Sequence, residues 1–238
     1  MDFAQKNILI VGASSGIGLA TTKLLHGLGA QLFTASRHLS PELAELQTTH
    51  LDLDATQPIP PTALDALPDT LHGFVYCPGS IKLRPFERIP LDDFRADFEL
   101  NVMGAVQLLQ PLMKRLKKAD GASVILFSTV AATTGMSFHA SIATAKAALE
   151  GLTRALAAEF APQNIRVNAV APSLTNTPLA APLLNTPEKA EGGAKRHPLQ
   201  RIGQPEDLAY MASFLLSDHS SFITGQIMPV DGGMGRLK

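Results

Sequence analysis

A chain of 238 residues, 45% hydrophobic and 17% charged, is long enough to bury one sizeable core and suits a single α/β domain. Its net charge of −1 offers nothing to draw it to nucleic acid or to an acidic membrane surface. The one cysteine, Cys77, excludes an internal disulfide and a multi-cysteine metal centre, so no metal site is expected.

Cys77 lies in an apolar run before Pro78-Gly79 and reads as a small buried apolar residue. No run approaches the roughly 18 apolar residues that span a bilayer. The first strand begins within about six residues of the N-terminus, which leaves no room for a signal peptide, and a cytoplasmic protein is expected.

Ile8-Leu9-Ile10-Val11 is the first predicted strand. It runs into Gly12-Ala13-Ser14-Ser15-Gly16-Ile17-Gly18 and then into an amphipathic helix starting at Leu19. A buried strand, a glycine-rich turn and a helix in that order present backbone N–H groups to a phosphate. Gly12 allows the tight turn, Gly16 the close approach of a pyrophosphate, and Gly18 the packing of helix on strand. The spacing G-x-x-x-G-x-G is a variant of the dinucleotide fingerprint; a plain glycine-rich turn is the competing reading.

Gln31 to Ala35 is strand two, with Ser36-Arg37-His38 at its carboxyl end, where an open parallel sheet meets the ribose of a dinucleotide. An acidic side chain there would accept from a free 2′-hydroxyl and repel a 2′-phosphate. Ser36 and Arg37 offer donors instead, which favours NADP(H) over NAD(H). A merely solvated Arg37 is the alternative.

Thr48 to Leu51 is strand three, ending at Asp52. Pro58, Pro60, Pro61 and Pro68 leave the next segment space for one short helical piece. Strand four is Gly73 to Tyr76. Asp92 to Leu116 is the longest helical stretch, with Asn101, a poor helix former in need of a partner, in its middle. Strand five, Val124 to Phe127, ends at Ser128-Thr129, and a second long helix, His139 to Phe160, carries Lys146. Strand six is Ile165 to Val170. Beyond Pro172, the stretch from Leu174 to about residue 200 is rich in Pro, Asn and Thr and long enough to be a lid. Pro205 to Leu216 is the last helix and Gln226 to Val230 the last strand. Strands alternating with helices imply one domain over residues 1–238: a Rossmann-like, doubly wound parallel sheet with helices on both faces.

In order along the chain come the glycine loop, Asp52-Leu53, Asn101-Val102-Met103-Gly104, Lys146-Ala147-Ala148, Ile165 to Pro172, Arg201 to Asp207, and Val230-Asp231-Gly232-Gly233. Over essentially its whole length the sequence resembles the short-chain dehydrogenase/reductase family, in particular its oxoacyl-carrier-protein reductase-like members. The resemblance implies that Gly12, Ser14, Ser15, Gly16, Ile17 and Gly18 hold a pyrophosphate and that Asp52 with Leu53 meets the adenine. It implies Lys146 on the nicotinamide ribose, Thr177 on the carboxamide, and Gly79 and Pro172 beside the cofactor. Asn101 would hold a water that links Lys146 to solvent, and Thr129 would stand at the catalytic serine position. A small carbonyl or alcohol substrate is implied, with a homotetramer or homodimer paired through the two long helices.

The departures from the family pattern are Tyr76-Cys77-Pro78-Gly79 in place of Asn-Asn-Ala-Gly, Ser173 after Pro172 in place of glycine, and threonine at 129. The largest is Ile142, four residues before Lys146, where the family carries its catalytic tyrosine. Neither of the two tyrosines, Tyr76 and Tyr210, is near it in sequence. Isoleucine has no proton to give, and general acid–base catalysis is worth about 10²–10⁴ in rate. Three readings follow. One is an NADP(H)-dependent oxidoreductase with another proton donor, for which His139 is the candidate: three residues before Ile142, it shares a face with it if the helix already includes it, against a plain surface or cap histidine. The second is a cofactor-binding protein that has lost hydride transfer and serves as a sensor or regulatory subunit. The third is a structural interaction protein.

Overall fold

The computed structural model describes residues 1–237. Seven strands, β1 (Asn7–Val11), β2 (Gln31–Ser36), β3 (Thr49–Asp52), β4 (Gly73–Tyr76), β5 (Ala122–Phe127), β6 (Ile165–Pro172) and β7 (Ile227–Val230), form one sheet in the order β3-β2-β1-β4-β5-β6-β7. Every pairing is parallel. The helices are α1 (Gly16–Gly27), α2 (Pro41–Ala44), α3 (Leu91–Phe98), α4 (Gly104–Lys117), α5 (Ala131–Thr134), α6 (Ala140–Phe160), α7 (Ala181–Leu184), α8 (Pro187–Lys195) and α9 (Pro205–Leu216).

Successive side chains on a strand point to opposite faces, so one apolar strand supplies two cores. Leu9 and Val11 join Phe74, Leu126 and Val167 under Leu108 and Leu112 of α4 and Leu149 of α6. Ile8 and Ile10 join Val75, Ile125 and Val170 under Leu25 of α1 and Leu208 and Leu215 of α9. Helices therefore cover both faces, the doubly wound arrangement expected from the alternation of elements. Strand order reverses between β1 and β4, and a crevice opens beyond the carboxyl ends of these strands.

Two segments differ from the sequence reading. The expected single helix over 92–116 is broken into α3, one π turn at Glu99–Met103, and α4. Asn101 lies in that turn and donates from Nδ2 to the backbone carbonyl of Asp97 at 2.7 Å. Tyr76, fully buried, braces the turn from below by donating its hydroxyl to Leu100 O at 2.6 Å.

The stretch after Pro172 is not mainly loop. Thr177 and Thr186 each accept a backbone N–H from three residues on, each followed by a proline, and they start the 3-10 turn Pro178–Ala180 and α8. The excursion is tied at its base where Asn176 N donates to Gly203 O and Gly203 N to Leu174 O, at 2.8 and 3.1 Å.

Candidate active site

The glycine loop sits at the switch point, held by Gly12 N donating to Ala35 O and Cys77 N to Val11 O. Gly12 has φ +79° and packs on Pro78; Gly16 has φ +53° and packs on Thr177. Gly18 admits no side chain at all: a Cβ there would lie 2.1 Å from Gly12 O. Ser15, the N-cap of α1, makes no side-chain capping bond. The first turn of α1 therefore faces the crevice with free backbone donors, as a pyrophosphate requires.

From this loop a groove of about 400 Å³ runs past Ser14, Ser36, Arg37, Leu53 and Asp54. Asp52 is exposed at the end of β3 and is not among the lining residues; Leu53 and Asp54 are. The Asp54 carboxyl is held below the usual carboxylate range by the Thr56 backbone N–H and hydroxyl, with Arg37 adding to the effect. Ser36 spends its hydroxyl on His38 O at 2.9 Å, whereas Arg37 is exposed.

At its other end the groove continues, through the shared residues Ile17, Cys77, Gly79, Thr177 and Leu179, into a cavity of about 540 Å³. Thr129, His139, Ile142, Lys146, Pro172 and Ser173 line it. Lys146 is only 6% exposed and donates from Nζ to Phe127 O at 2.5 Å and Pro78 O at 3.5 Å. Burial disfavours its charge and lowers its pKa to about 8. Asn101 Oδ1 is buried without a protein partner. A Cβ on Gly79 would lie 3.8 Å from that oxygen and 3.7 Å from Lys146 Nζ, so glycine keeps the space between them open. An unpartnered acceptor near an ammonium is what a bridging water would satisfy.

Thr129 donates weakly to Pro172 O at 3.4 Å, which leaves its hydroxyl free to turn toward a substrate oxygen. Ile142, 6% exposed, lies one helical turn before Lys146 on α6. His139 precedes the helix instead of belonging to it, and its Nδ1 lies 2.7 Å from Ser137 O. The helical spacing expected to put His139 and Ile142 on one face does not apply, although both line the cavity. Neither tyrosine lines it: Tyr76 is committed to Leu100 O and its burial raises its pKa, while Tyr210 is exposed on α9. Cys77 is likewise no nucleophile, since desolvation pushes its thiol up to about 12.

Two polar clusters had no counterpart in the sequence reading. Buried Asp97 accepts from Ser80 and Ser141, both at 2.5 Å, tying the loop after β4 to α3 and α6. Ser173 meets the imidazole of His197, 24 residues away in sequence.

A family model described as enoyl-(acyl carrier protein) reductase matches residues 12–235. A 3-oxoacyl-(acyl-carrier-protein) reductase from Thermotoga maritima is 32% identical over 98% of this chain and 99% of the relative. The solved structure of a short-chain type dehydrogenase/reductase from Mycobacterium ulcerans superposes with a TM-score of 0.91 at 30% identity, covering 100% of this chain and 92% of that one. The chain belongs to the short-chain dehydrogenase/reductase family. L-xylulose reductase from Bos taurus is also 32% identical, over 97% of this chain and 96% of the relative. The ligand-free aldohexose dehydrogenase of Thermoplasma acidophilum has a TM-score of 0.91 at 26% identity, covering 99% and 96% of the two chains. Short-chain dehydrogenases/reductases bind a nicotinamide cofactor and act on carbonyl and alcohol groups. Among the described residues no helix is long and apolar enough to cross a membrane.

Proposed function

We propose that this short-chain dehydrogenase/reductase is an NADP(H)-dependent oxidoreductase of small carbonyl or alcohol substrates. The observation that carries this reading is the groove that passes from the glycine loop into a cavity lined by Thr129 and Lys146, with the unpartnered Asn101 Oδ1 buried close behind Gly79, which borders both. When bound, the cofactor supplies or accepts the hydride. The residues present fit it: Gly12, Ser14, Ser15, Gly16, Ile17 and Gly18 offer a loop with free backbone donors, Lys146 a buried ammonium for the ribose, and Thr177 and Pro172 a flank for the nicotinamide. Thr129 polarises the substrate oxygen, and the mostly apolar wall of Leu179, Leu183 and Met234 excludes water from it.

With Ser36 engaged locally, preference for the 2′-phosphate rests on Arg37. A charge-assisted bond of about 1.5–3 kcal/mol predicts that Arg37→Ala weakens NADPH binding by about 10- to 100-fold and leaves NADH binding unchanged. Fluorescence titration with both nucleotides measures it; an equal loss for both would remove the 2′-phosphate assignment.

A second reading is favoured by Ile142, which we place at the family's tyrosine position: a protein that binds the cofactor without turning it over. One experiment separates the two. The native protein and Ile142→Tyr are titrated with NADPH and NADH, then assayed on a panel of aldehydes, ketones and oxoacyl thioesters. Turnover by the native protein supports the oxidoreductase. Tight NADPH binding with turnover only in Ile142→Tyr supports the second reading, and no nucleotide binding at all sinks both. Light scattering on the same preparation tests the proposed homodimer or homotetramer, which a monomer at micromolar concentration would refute.

A further inference from the structure

The imidazole of His197 is 1% exposed, yet it is not packed as an apolar ring. Its Nδ1 lies 2.9 Å from the backbone carbonyl of Gly193 and its Nε2 2.8 Å from Ser173 Oγ. A carbonyl oxygen can only accept, so Nδ1 carries the proton that points to Gly193. In the neutral ring Nε2 is then an acceptor, and the Ser173 hydroxyl donates to it. Ser173 in turn lines the cavity, next to Pro172, whose carbonyl accepts from Val130 N at 3.0 Å and from the Thr129 hydroxyl. A pocket hydroxyl thus stands beside Thr129, backed by a buried titratable ring whose orientation a third group fixes. That is the geometry of an activated hydroxyl.

We infer that Ser173 and His197 form the proton relay of this site, doing from the β6 side what no tyrosine does from α6. The inference rests on the oxidoreductase reading. In the reducing direction His197 is the imidazolium, with Nδ1–H on Gly193 O and Nε2–H on Ser173 Oγ. Where a bound reduced cofactor would supply hydride to the carbonyl carbon, forming the new C–H bond there, the C=O π pair would move to oxygen. Ser173 Oγ–H gives its proton to that oxygen and takes another from Nε2, leaving the alcohol, the oxidised nicotinamide and a neutral His197. In the oxidising direction the alcohol proton passes to Ser173 and the Ser173 proton to neutral Nε2. Ser173 touches substrate and is the catalytic residue; His197 acts through it.

The protonation state therefore gives the two directions opposite pH dependence. Reduction falls, and oxidation rises, as pH climbs through the titration of His197. Other charges surround the pair. On α8 and its end stand Glu188, Lys189, the Glu191–Lys195 ion pair and Arg196. Beyond β7 are Asp231, whose carboxylate accepts from Gly233 N and Gly235 N, and Arg236; Gly232 lies against the ring. Across the cavity are His139 and Lys146. The hydrogen bonds of the imidazole go to none of these.

The test combines kinetics in both directions from pH 5 to 10 with NMR titration of His197 in the unliganded protein. The NMR spectra are expected to show the Nδ1–H tautomer and a titration that moves in Ser173→Ala. Both Ser173→Ala and His197→Gln are expected to lower turnover by about 10²–10⁴ with NADPH affinity unchanged. Ser173→Thr, which keeps a hydroxyl, retains activity. His197→Gln loses the limb assigned to the ring but keeps the one near pH 8 from Lys146, and adding Ile142→Tyr to it restores rate. Should native turnover persist while both variants keep native rates and profiles, the relay is wrong and the oxidoreductase reading stands. A His197 ring that does not titrate over this range overturns the relay even if the variants are slow or unfolded. A native protein that binds NADPH but turns over nothing on the panel sinks the oxidoreductase reading, and the relay with it.

Discussion

Gly18→Ala is expected to lose cofactor binding and to lower the unfolding free energy by about 3 kcal/mol or more, a drop in Tm of roughly 6–12 °C for a domain of this size. The added methyl would meet backbone, not a side chain that can turn away: Gly12 O at 2.1 Å, Gly12 C at 2.8 Å and Ala13 Cα at 3.2 Å. Relief requires α1 to move off β1, which also moves the free N–H groups of its first turn away from the phosphate. The same substitution at Gly151 has the opposite sign. Inside α6 nothing lies within 4 Å of its Cβ position, so Gly151→Ala should stabilise by about 0.5–1 kcal/mol. Thermal unfolding of the two variants beside the native protein checks both. An unchanged Tm in Gly18→Ala would mean that the loop has room it does not show.

Lys146→Met should remove most productive cofactor binding while changing how stability responds to pH. The buried ammonium donates to Phe127 O and Pro78 O and stands next to the space that Gly79 leaves open. Its loss is expected to weaken NADPH binding by about 10- to 100-fold. In the native protein the charged form is present below about pH 8 and disappears above it, so affinity should decline as pH rises through that value, and the Met variant should lack this step. The stability sign is opposite. Between the folded pKa of about 8 and the ordinary lysine value of 10.5 the unfolded chain binds more protons, so native stability rises with pH across that window. The gain is about 3 kcal/mol, fully present above the unfolded value and lost as pH falls through 8. Urea unfolding at pH 7, 9 and 10.5 should show this slope in the native protein and not in Lys146→Met. Parallel curves for the two would mean that Lys146 is not held against its charge.

The sheet order and the crevice were legible in the sequence because they depend on local signals. The run Ile8 to Val11 followed by three spaced glycines marks the switch point, and each later strand is an apolar run between helical periods. The π turn was not, because one extra residue hardly disturbs a 3.6-residue period averaged over some twenty-five positions. Asn101 in mid-helix was its only trace. The helices at 181–195 were hidden by composition, although Thr177-Pro178 and Thr186-Pro187 are N-cap and first-turn pairs that could have been read. His139 was chosen by its sequence distance from Ile142, a criterion that fails as soon as the helix starts one residue later.

The clusters that escaped are those whose members meet only in the fold. In sequence Ser173 stands out only for replacing a glycine, and His197 lies unmarked within the expected lid. What joins them is the path of α8, which brings Gly193 O and the imidazole back over the end of β6. Asp97 falls inside the long helical stretch read over 92–116, and its two serine partners lie on other elements.

The π turn also bears on how this chain can change length. Deleting one residue from Glu99–Met103 would let α3 run into α4 as an unbroken α-helix, a locally favourable outcome. Because the residues of a π turn advance the helix by about as much rotation as an α-helical segment one residue shorter, Leu108, Leu109, Leu112 and Leu116 would keep facing the core they share with β4 and β5. What the deletion would disturb is the turn itself: the Leu100 carbonyl that receives the Tyr76 hydroxyl, and Asn101 with its bond to Asp97 O. The extra residue is therefore one the helix could spare, and its place in the chain is explained by what the turn holds beside Lys146.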